Sequence, residues 1–270
     1  MGTVSTRKLA VVTGASSGIG LELARECVER DFDLIICAED SGIHTAAEHL
    51  AKGGAWVLPV QADLAMFDGC KQLYQAIVDS GRHVDALLLN AGVGVGGAFL
   101  VNDLEAELKM IRLNVEAVVH LSKLILPMMV NRREGRVLIT ASVASTSPAP
   151  YLAVYGATKA FDLMFAEALR YELKDTGVTV TALQPGATDT EFFDRAGMDS
   201  TKVAEGKKDD PAEVAKKGVD AMLAGKDKVF GASMKAKMEG LVGEVLPEPT
   251  KAKMQGKQTK PGSAKNEHKH

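Results

Sequence analysis

Short runs of Val, Ile, Leu and Ala recur along the chain, separated by longer stretches whose apolar residues follow helical spacing. The runs at 9–13, 34–38, 55–60, 86–90, 137–141 and 178–184 are rich in β-formers and lack strict apolar/polar alternation. That pattern predicts strands covered on both faces, as in a parallel sheet. A short seventh strand is predicted near 228–232. Helical periodicity predicts helices over 18–30, about 42–52, 67–81, 103–131, 155–176 and 211–224. Strand and helix alternate throughout, which implies crossover connections and a doubly wound α/β sheet.

The helix 103–131 has two apolar stripes. One runs through Leu108, Ile111, Val115, Val119 and Leu126, the other through Met110, Leu113, Ala117, Leu121, Leu124 and Met128. Lying on a sheet needs one stripe. The second predicts a subunit partner, as a homodimer or homotetramer, or else cover from the following helix.

Two segments break the alternation. Residues 187–210 are polar and irregular, as expected of a lid over a site. Residues 247–270 are rich in Lys, Pro and Gly, with Ala252, Met254 and Ala264 as their apolar members. So little apolar surface predicts a mobile tail; docking on a neighbouring subunit is the alternative. The organisation expected is one domain over 1–246, its lid at about 187–210, and the tail.

Composition narrows the function classes. The 270 residues carry a formal net charge of −3, which supplies no basic field for nucleic acid. Cys27, Cys37 and Cys70 fit neither a disulfide scaffold nor metal-ligand spacing and read as core residues in a reducing compartment. No apolar run approaches the roughly 20 residues of a bilayer span, and Met1–Lys8 lead into the first strand without a long apolar stretch. A soluble cytoplasmic protein is expected. His44, His49, His83, His120, His268 and His270 share no spacing, so no metal is assigned. The lysines between Lys202 and Lys208 read as a solvated lid face, with steering of an anionic substrate as the alternative.

Chemistry concentrates at strand ends. After the first strand comes Thr13-Gly14-Ala15-Ser16-Ser17-Gly18-Ile19-Gly20, opening an amphipathic helix. Gly14 permits a tight turn, Gly18 a close approach of backbone to a pyrophosphate, and Gly20 close helix–strand packing, while the helix N-terminus favours phosphate. Glu39 follows the second strand, where an acidic residue meets a ribose. The turn lacks the Gly-Lys-Ser/Thr ending of an ATP-binding loop.

The ordered set resembles the short-chain dehydrogenase/reductase family. It comprises TGASSGIG (13–20), Asp63, Asn90-Ala91-Gly92, Asn114, Ser142, Tyr155 and Lys159 in YxxxK spacing, Pro185-Gly186 and Thr190. Singly these residues are ordinary; in this order, over about residues 5–245, they are specific. The resemblance implies a Rossmann fold binding NAD(P)(H) and transferring hydride between the nicotinamide and a ketone or secondary alcohol. It implies Tyr155 as general acid/base and Lys159 as the cation that stabilises its phenolate and bonds the nicotinamide ribose. Ser142 would hold the substrate oxygen, and Asn114 a water leading protons to Lys159. Asp63 would bond the adenine, Asn90, Ala91 and Gly92 pack on the adenosine, and Thr190 hold the carboxamide. Ser16, Ser17, Ile19, Leu64, Pro185, Gly186 and Thr188 complete the expected cofactor contacts.

The chemistry agrees. The alkoxide left by hydride addition needs a proton, and a tyrosine supplies it near neutral pH only if its pKa falls well below about 10. Residues four apart on a helix share a face, so Lys159 is placed to lower Tyr155. NADP-preferring members carry Arg or Lys where this chain has Ser17 or Glu39, and Asp40 adds a second carboxylate. NAD(H) is therefore favoured, although Ala38 replaces the usual ribose-binding aspartate and Arg25 remains a candidate for a phosphate. Two rivals are a dehydratase or epimerase using the same cofactor, and a nucleotide-sensing regulatory protein. The lid's Phe192, Phe193 and Met198 fit a partly apolar substrate and core packing equally well.

Overall fold

The computed structural model describes residues 6–231 and 247–264. Seven parallel strands, β1 Lys8–Thr13, β2 Phe32–Ala38, β3 Val57–Gln61, β4 Ala86–Leu89, β5 Gly135–Thr140, β6 Val178–Gln184 and β7 Lys228–Phe230, form one sheet. Its spatial order is β3-β2-β1-β4-β5-β6-β7. The chain winds outward from β1 to β3 and then returns to the other side of β1. The strand direction of travel thus reverses between β1 and β4, where α/β sheets open a crevice at their carboxyl ends.

Both faces are covered, which explains the uninterrupted apolar runs. On one face, Leu23 and Cys27 of α1 (Gly18–Glu29), Ile43 and Leu50 of α2 (Gly42–Ala51) and Val214 and Val219 of α9 (Pro211–Leu223) pack on Val12, Leu34 and Leu88. On the other, α3 (Phe67–Asp79), α5 (Ala117–Arg132) and α6 (Ala153–Glu172) set Leu73, Ile125 and Leu163 against Val11, Leu87 and Val137. The three cysteines lie unpaired and buried in these layers. Burial pushes the thiols of Cys27 and Cys37 up to about 12 and that of Cys70 to about 11, as expected of inert core residues.

The long helix has three parts. α4 (Leu104–Ile111), capped by Asp103, runs into a π-helical turn, Arg112–Glu116, and then into α5. Residues Met110, Leu113, Ala117 and Leu121 of the second predicted stripe are buried. Leu108, Ile111, Val115 and Val119 of the first are half-buried, whereas Leu126 joins the core. By length and composition Leu104–Arg132 would suffice to cross a membrane; here its inward stripe packs on the sheet.

The segment expected to form a lid lies between β6 and α9. It contains the single turns α7 (Phe192–Arg195) and α8 (Lys202–Glu205), and a bridge pairs Thr188 with Asp209. Phe193, Ala196 and Met198 form a small core with Leu152, against which Phe192 and Tyr155 pack. Where the composition predicts a mobile tail, residues Glu248–Thr259 form a helix, α10, lying against α8. Its anchors are polar: Thr259 Oγ1 donates to the Pro150 carbonyl at 2.7 Å, and Ala264 N to that of Ser200 at 3.0 Å. Counting apolar residues misses such docking. Residues 265–270 of the expected tail, with His268 and His270, lie outside the described residues, as do 1–5 and 232–246.

Candidate active site

A cleft opens at the carboxyl ends of the strands where the winding reverses. Its glycine turn is fixed by close approach. Gly14 has φ +68°, and a Cβ there would lie 2.8 Å from the Ala91 Cα; one on Gly20 would lie 1.9 Å from the Gly14 carbonyl oxygen. Only glycine permits this packing of β1, α1 and the strand β4 exit. Ser17 caps α1 through its backbone alone, so the first-turn N–H groups open toward the cleft between Gly14 and Gly20.

Thr13 ties the turn to the neighbouring loop, accepting at Oγ1 from the backbone N–H groups of Asn90 and Ala91 at 2.9 and 3.0 Å. Asn90 in turn accepts from Thr140 Oγ1 at 3.1 Å, joining β4 to β5. At the acidic end, Asp40 accepts from Ser16 Oγ at 2.7 Å, and Glu39 pairs with Lys109 of α4 at 2.8 Å. Lys109 also lies 3.5 Å from Asp63. Two carboxylates thus share one ammonium, and Asp40 stands nearby on Ser16.

At the other end, Ser142 begins a 3₁₀ turn, Val143–Thr146, in a reciprocal cap with Ser145. Its Oγ accepts from Ala144 N at 3.1 Å, leaving the hydroxyl proton available, and it stands near enough to Tyr155 to pull the phenol's pKa down. Ser145 Oγ donates to the Lys159 carbonyl at 2.8 Å, which fixes α6 against the turn. The Lys159 ammonium donates to the Thr140 carbonyl at 2.8 Å and to Asp162 Oδ2 at 3.0 Å. The Phe192 ring packs on Tyr155 with centroids 5.2 Å apart.

Asn114 sits at the centre of the π turn and is fully buried. Its Nδ2 donates to the Val93 carbonyl and to Thr158 Oγ1, and its Oδ1 accepts from Val93 N, each at 3.0 Å. A Cβ on Gly92 would lie 3.2 Å from Asn114 Oδ1 and 3.3 Å from Lys159 Nζ, so that glycine is the thin wall between them.

A scan against known families matches residues 8–200 to the short chain dehydrogenase model. The chain belongs to the short-chain dehydrogenase/reductase family. It is 33% identical over 193 residues to a 3-oxoacyl-[acyl-carrier-protein] reductase of Synechocystis, covering 70% of this chain and 78% of that one. Among solved structures it resembles a short-chain dehydrogenase of Sphingobium yanoikuyae in complex with NADPH, at 29% identity. The TM-score there is 0.79, over 87% of this chain and 92% of that one. A 3-ketoacyl-(acyl-carrier-protein) reductase of Brucella melitensis complexed with NADH gives 25% identity and a TM-score of 0.73, over 83% and 97%.

In this short-chain dehydrogenase, Gly14, Ser16, Ser17, Gly18, Ile19, Gly20, Glu39, Asp63, Leu64, Asn90, Ala91 and Gly92 all line the one cleft. So do Ser142, Tyr155, Lys159, Pro185, Gly186, Thr188 and Thr190. Asn114 is not on the wall; it stands behind it. Residues not singled out in the sequence also take part: Thr13 and Thr140 as ties, Lys109 at the acidic end, Leu152, Gln255 and Thr259 on the walls, and Asp162 behind Lys159. Gln255 and Thr259 carry no sequence signal, since α10 reaches the cleft only by tertiary docking. Asp162 had one: it lies three residues after Lys159, on the inward stripe of α6.

The expected lowering of the Tyr155 pKa is not found from the chain's own groups. Burial pushes the phenol up, Lys159 and Ser142 pull it down, Asp162 adds to the rise, and the net direction is upward. Burial opposes the Lys159 charge, yet Asp162 and Tyr155 outweigh it and hold the ammonium above its ordinary value. The Asp162 carboxyl is itself raised by burial, against the pull of Lys159.

Proposed function

We propose that this protein is an NAD(P)(H)-dependent carbonyl reductase/alcohol dehydrogenase of the ketone/secondary-alcohol type, with Tyr155 as its proton donor. The observation that carries this reading is the convergence of Ser142, Tyr155 and Lys159 at one end of a cleft whose middle is the glycine turn. The residues fit a dinucleotide: a Cβ-free cradle and an open helix N-terminus suit the pyrophosphate, and the acidic end suits the adenosine ribose. When bound, the dinucleotide supplies or accepts the hydride.

The chain's own residues manage the oxygen and its proton. Ser142 donates its free hydroxyl proton to the carbonyl oxygen and stabilises the charge that develops there. Tyr155 gives its phenolic proton to that oxygen and is left as a phenolate, beside the Lys159 ammonium. Asn114, across Gly92 from Lys159, holds the water through which the proton is restored. Asp63, Leu64, Asn90, Ala91 and Gly92 flank the adenosine, while Pro185, Gly186, Thr188 and Thr190 flank the nicotinamide. A phenol that keeps its proton near neutrality suits reduction as the favoured direction.

NAD(H) is the preferred cofactor in this reading. Glu39, Asp40 and Asp63 against Lys109 leave two net negative charges where a 2′-phosphate would approach. Leu152, Phe192, Phe193 and Met198 wall the far end and suit a partly apolar ketone. The half-buried stripe of Leu108, Ile111, Val115 and Val119, together with exposed Met164 on α6, supports a homodimer or homotetramer. Three buried, unpaired thiols suit a cytoplasmic location. A panel of apolar ketones, followed by NADH and NADPH oxidation, tests the reading. Sustained stoichiometric oxidation supports it, whereas product formation without net cofactor change refutes it in favour of a dehydratase or epimerase.

A further inference from the structure

The inward stripe of α6 carries a carboxylate where a helix packed on a sheet ordinarily carries an apolar residue. Asp162 follows Lys159 by three positions and points the same way. The two side chains are 1% and 6% exposed, and Oδ2 accepts from Nζ at 3.0 Å. Asp162 Oδ1 has no hydrogen-bond partner among the described residues. A buried carboxylate with one oxygen unpaired costs stability that an apolar residue of similar size would not. Packing therefore gives no reason for an aspartate here, and the neighbour it acts on is the cation beside the proton donor.

We propose that Asp162 is a positioning residue: it neutralises Lys159, keeps Tyr155 in its proton-donating form at neutral pH, and so poises the site for carbonyl reduction over alcohol oxidation. The proposal rests on the reductase reading given above and adds to it the control of direction. A lone ammonium beside a phenol draws off its proton; one paired with a carboxylate at hydrogen-bond distance presents a dipole, whose pull falls faster with distance. α4, which also packs on α6, carries the buried Glu107, but that carboxylate accepts from Asn102, and among the described residues no other charge acts on the three groups. β5 contributes the Thr140 carbonyl, the 3₁₀ turn Ser142 and Ser145, and the π turn Asn114. On β6, Gln184 alternates with Leu183 and so shares the face of Ala182, toward α6, as an uncharged amide. The ionisable groups that act on Asp162, Lys159 and Tyr155 are one another.

Two variants separate charge from shape. Asp162→Asn keeps an acceptor for Lys159 and removes the charge; Asp162→Glu keeps the charge. Tyrosinate absorbance of the full chain is titrated with Tyr155→Phe as the blank, which isolates Tyr155 without turnover. In parallel, kcat/KM is followed against pH in both directions. Tyr155 of the unmodified chain is expected to stay protonated to about its ordinary pKa of 10 or beyond. In Asp162→Asn it is expected to titrate several-fold more readily, with the alkaline limb of reduction and the acid limb of oxidation moving together. Asp162→Glu is expected to retain the original profile. Ionisation of Tyr155 well below 10 in the unmodified chain overturns the proposal, as does an unchanged titration in Asp162→Asn or an equal shift in Asp162→Glu. Should Asp162→Asn fail to fold, the comparison of the unmodified chain with Tyr155→Phe still decides. Titration as expected in a chain that reduces no carbonyl sinks the reductase reading alone.

Discussion

Replacing Asn114 by alanine tests whether the wall behind the cleft is built by one side chain. The substitution removes three hydrogen bonds of 3.0 Å from a fully buried position. Thr158 Oγ1 keeps its own bond to the Tyr155 carbonyl at 2.8 Å, so it is not left unpaired. The N–H and C=O of Val93 are left without their partner, at a cost of about 1–3 kcal/mol each. Val93 lines the cleft, where water can reach part of it, so the lower half of that range applies. Loss of the side-chain volume adds about 1 kcal/mol, for a total of ~3 kcal/mol. For a domain of this size that corresponds to a fall in Tm of roughly 6–12 °C. Because Asn114 touches Val93 and Thr158 but does not line the dinucleotide cleft, its loss is expected to leave the NADH Kd within a few-fold while lowering kcat. Urea unfolding, calorimetric titration and steady-state kinetics read the three quantities on one preparation. A stability loss below about 1 kcal/mol would contradict the hydrogen-bond argument. An unchanged kcat would contradict the role assigned to Asn114 behind Lys159.

Glu39→Arg changes the local charge by two and is expected to shift the Kd ratio toward NADPH by ~2 kcal/mol, roughly thirtyfold; tighter NADPH binding by the unmodified chain would refute the charge balance. Gly20→Ala forces a Cβ against the Gly14 carbonyl. The strain of ~2–3 kcal/mol should weaken dinucleotide binding about a hundredfold, and calorimetric binding at full strength would show that the turn does not hold the pyrophosphate. Val115→Lys places a charge in the half-buried stripe of the π turn and should yield a folded monomer by light scattering. A monomeric unmodified protein at micromolar concentration would remove the case for an interface.

Much of this architecture is legible in the chain because each layer leaves a repeating signature. The strands at 9–13 and 178–184 are buried runs, Thr179 alone half-buried, and their observed limits differ from the predicted ones by at most one residue. The glycine turn and the YxxxK pair are local, with spacing that survives folding unchanged. Less legible were features made by tertiary contact alone. α10 has a polar sequence and is held by bonds to Pro150 and Ser200, which no periodicity announces. Lys109 lies seventy residues from Glu39 and meets it only because α4 crosses the cleft rim. The Tyr155 shift runs upward chiefly because the phenol is buried, which no local spacing announces; Asp162, on the buried stripe of α6 and paired with Lys159, adds to the rise.

In the function proposed above, Tyr155 delivers the proton while the rest of the cleft binds the cofactor. Tyr155→Phe removes one hydroxyl and leaves the ring packed on Phe192. Turnover of whichever ketone the panel identifies, measured beside NADH binding by fluorescence titration, tests it most directly. kcat is expected to fall at least a hundredfold, the ordinary worth of a general acid, with the NADH Kd changed by no more than a few-fold. A variant that keeps more than about a tenth of the unmodified kcat would contradict it, because proton donation would then be carried by another group.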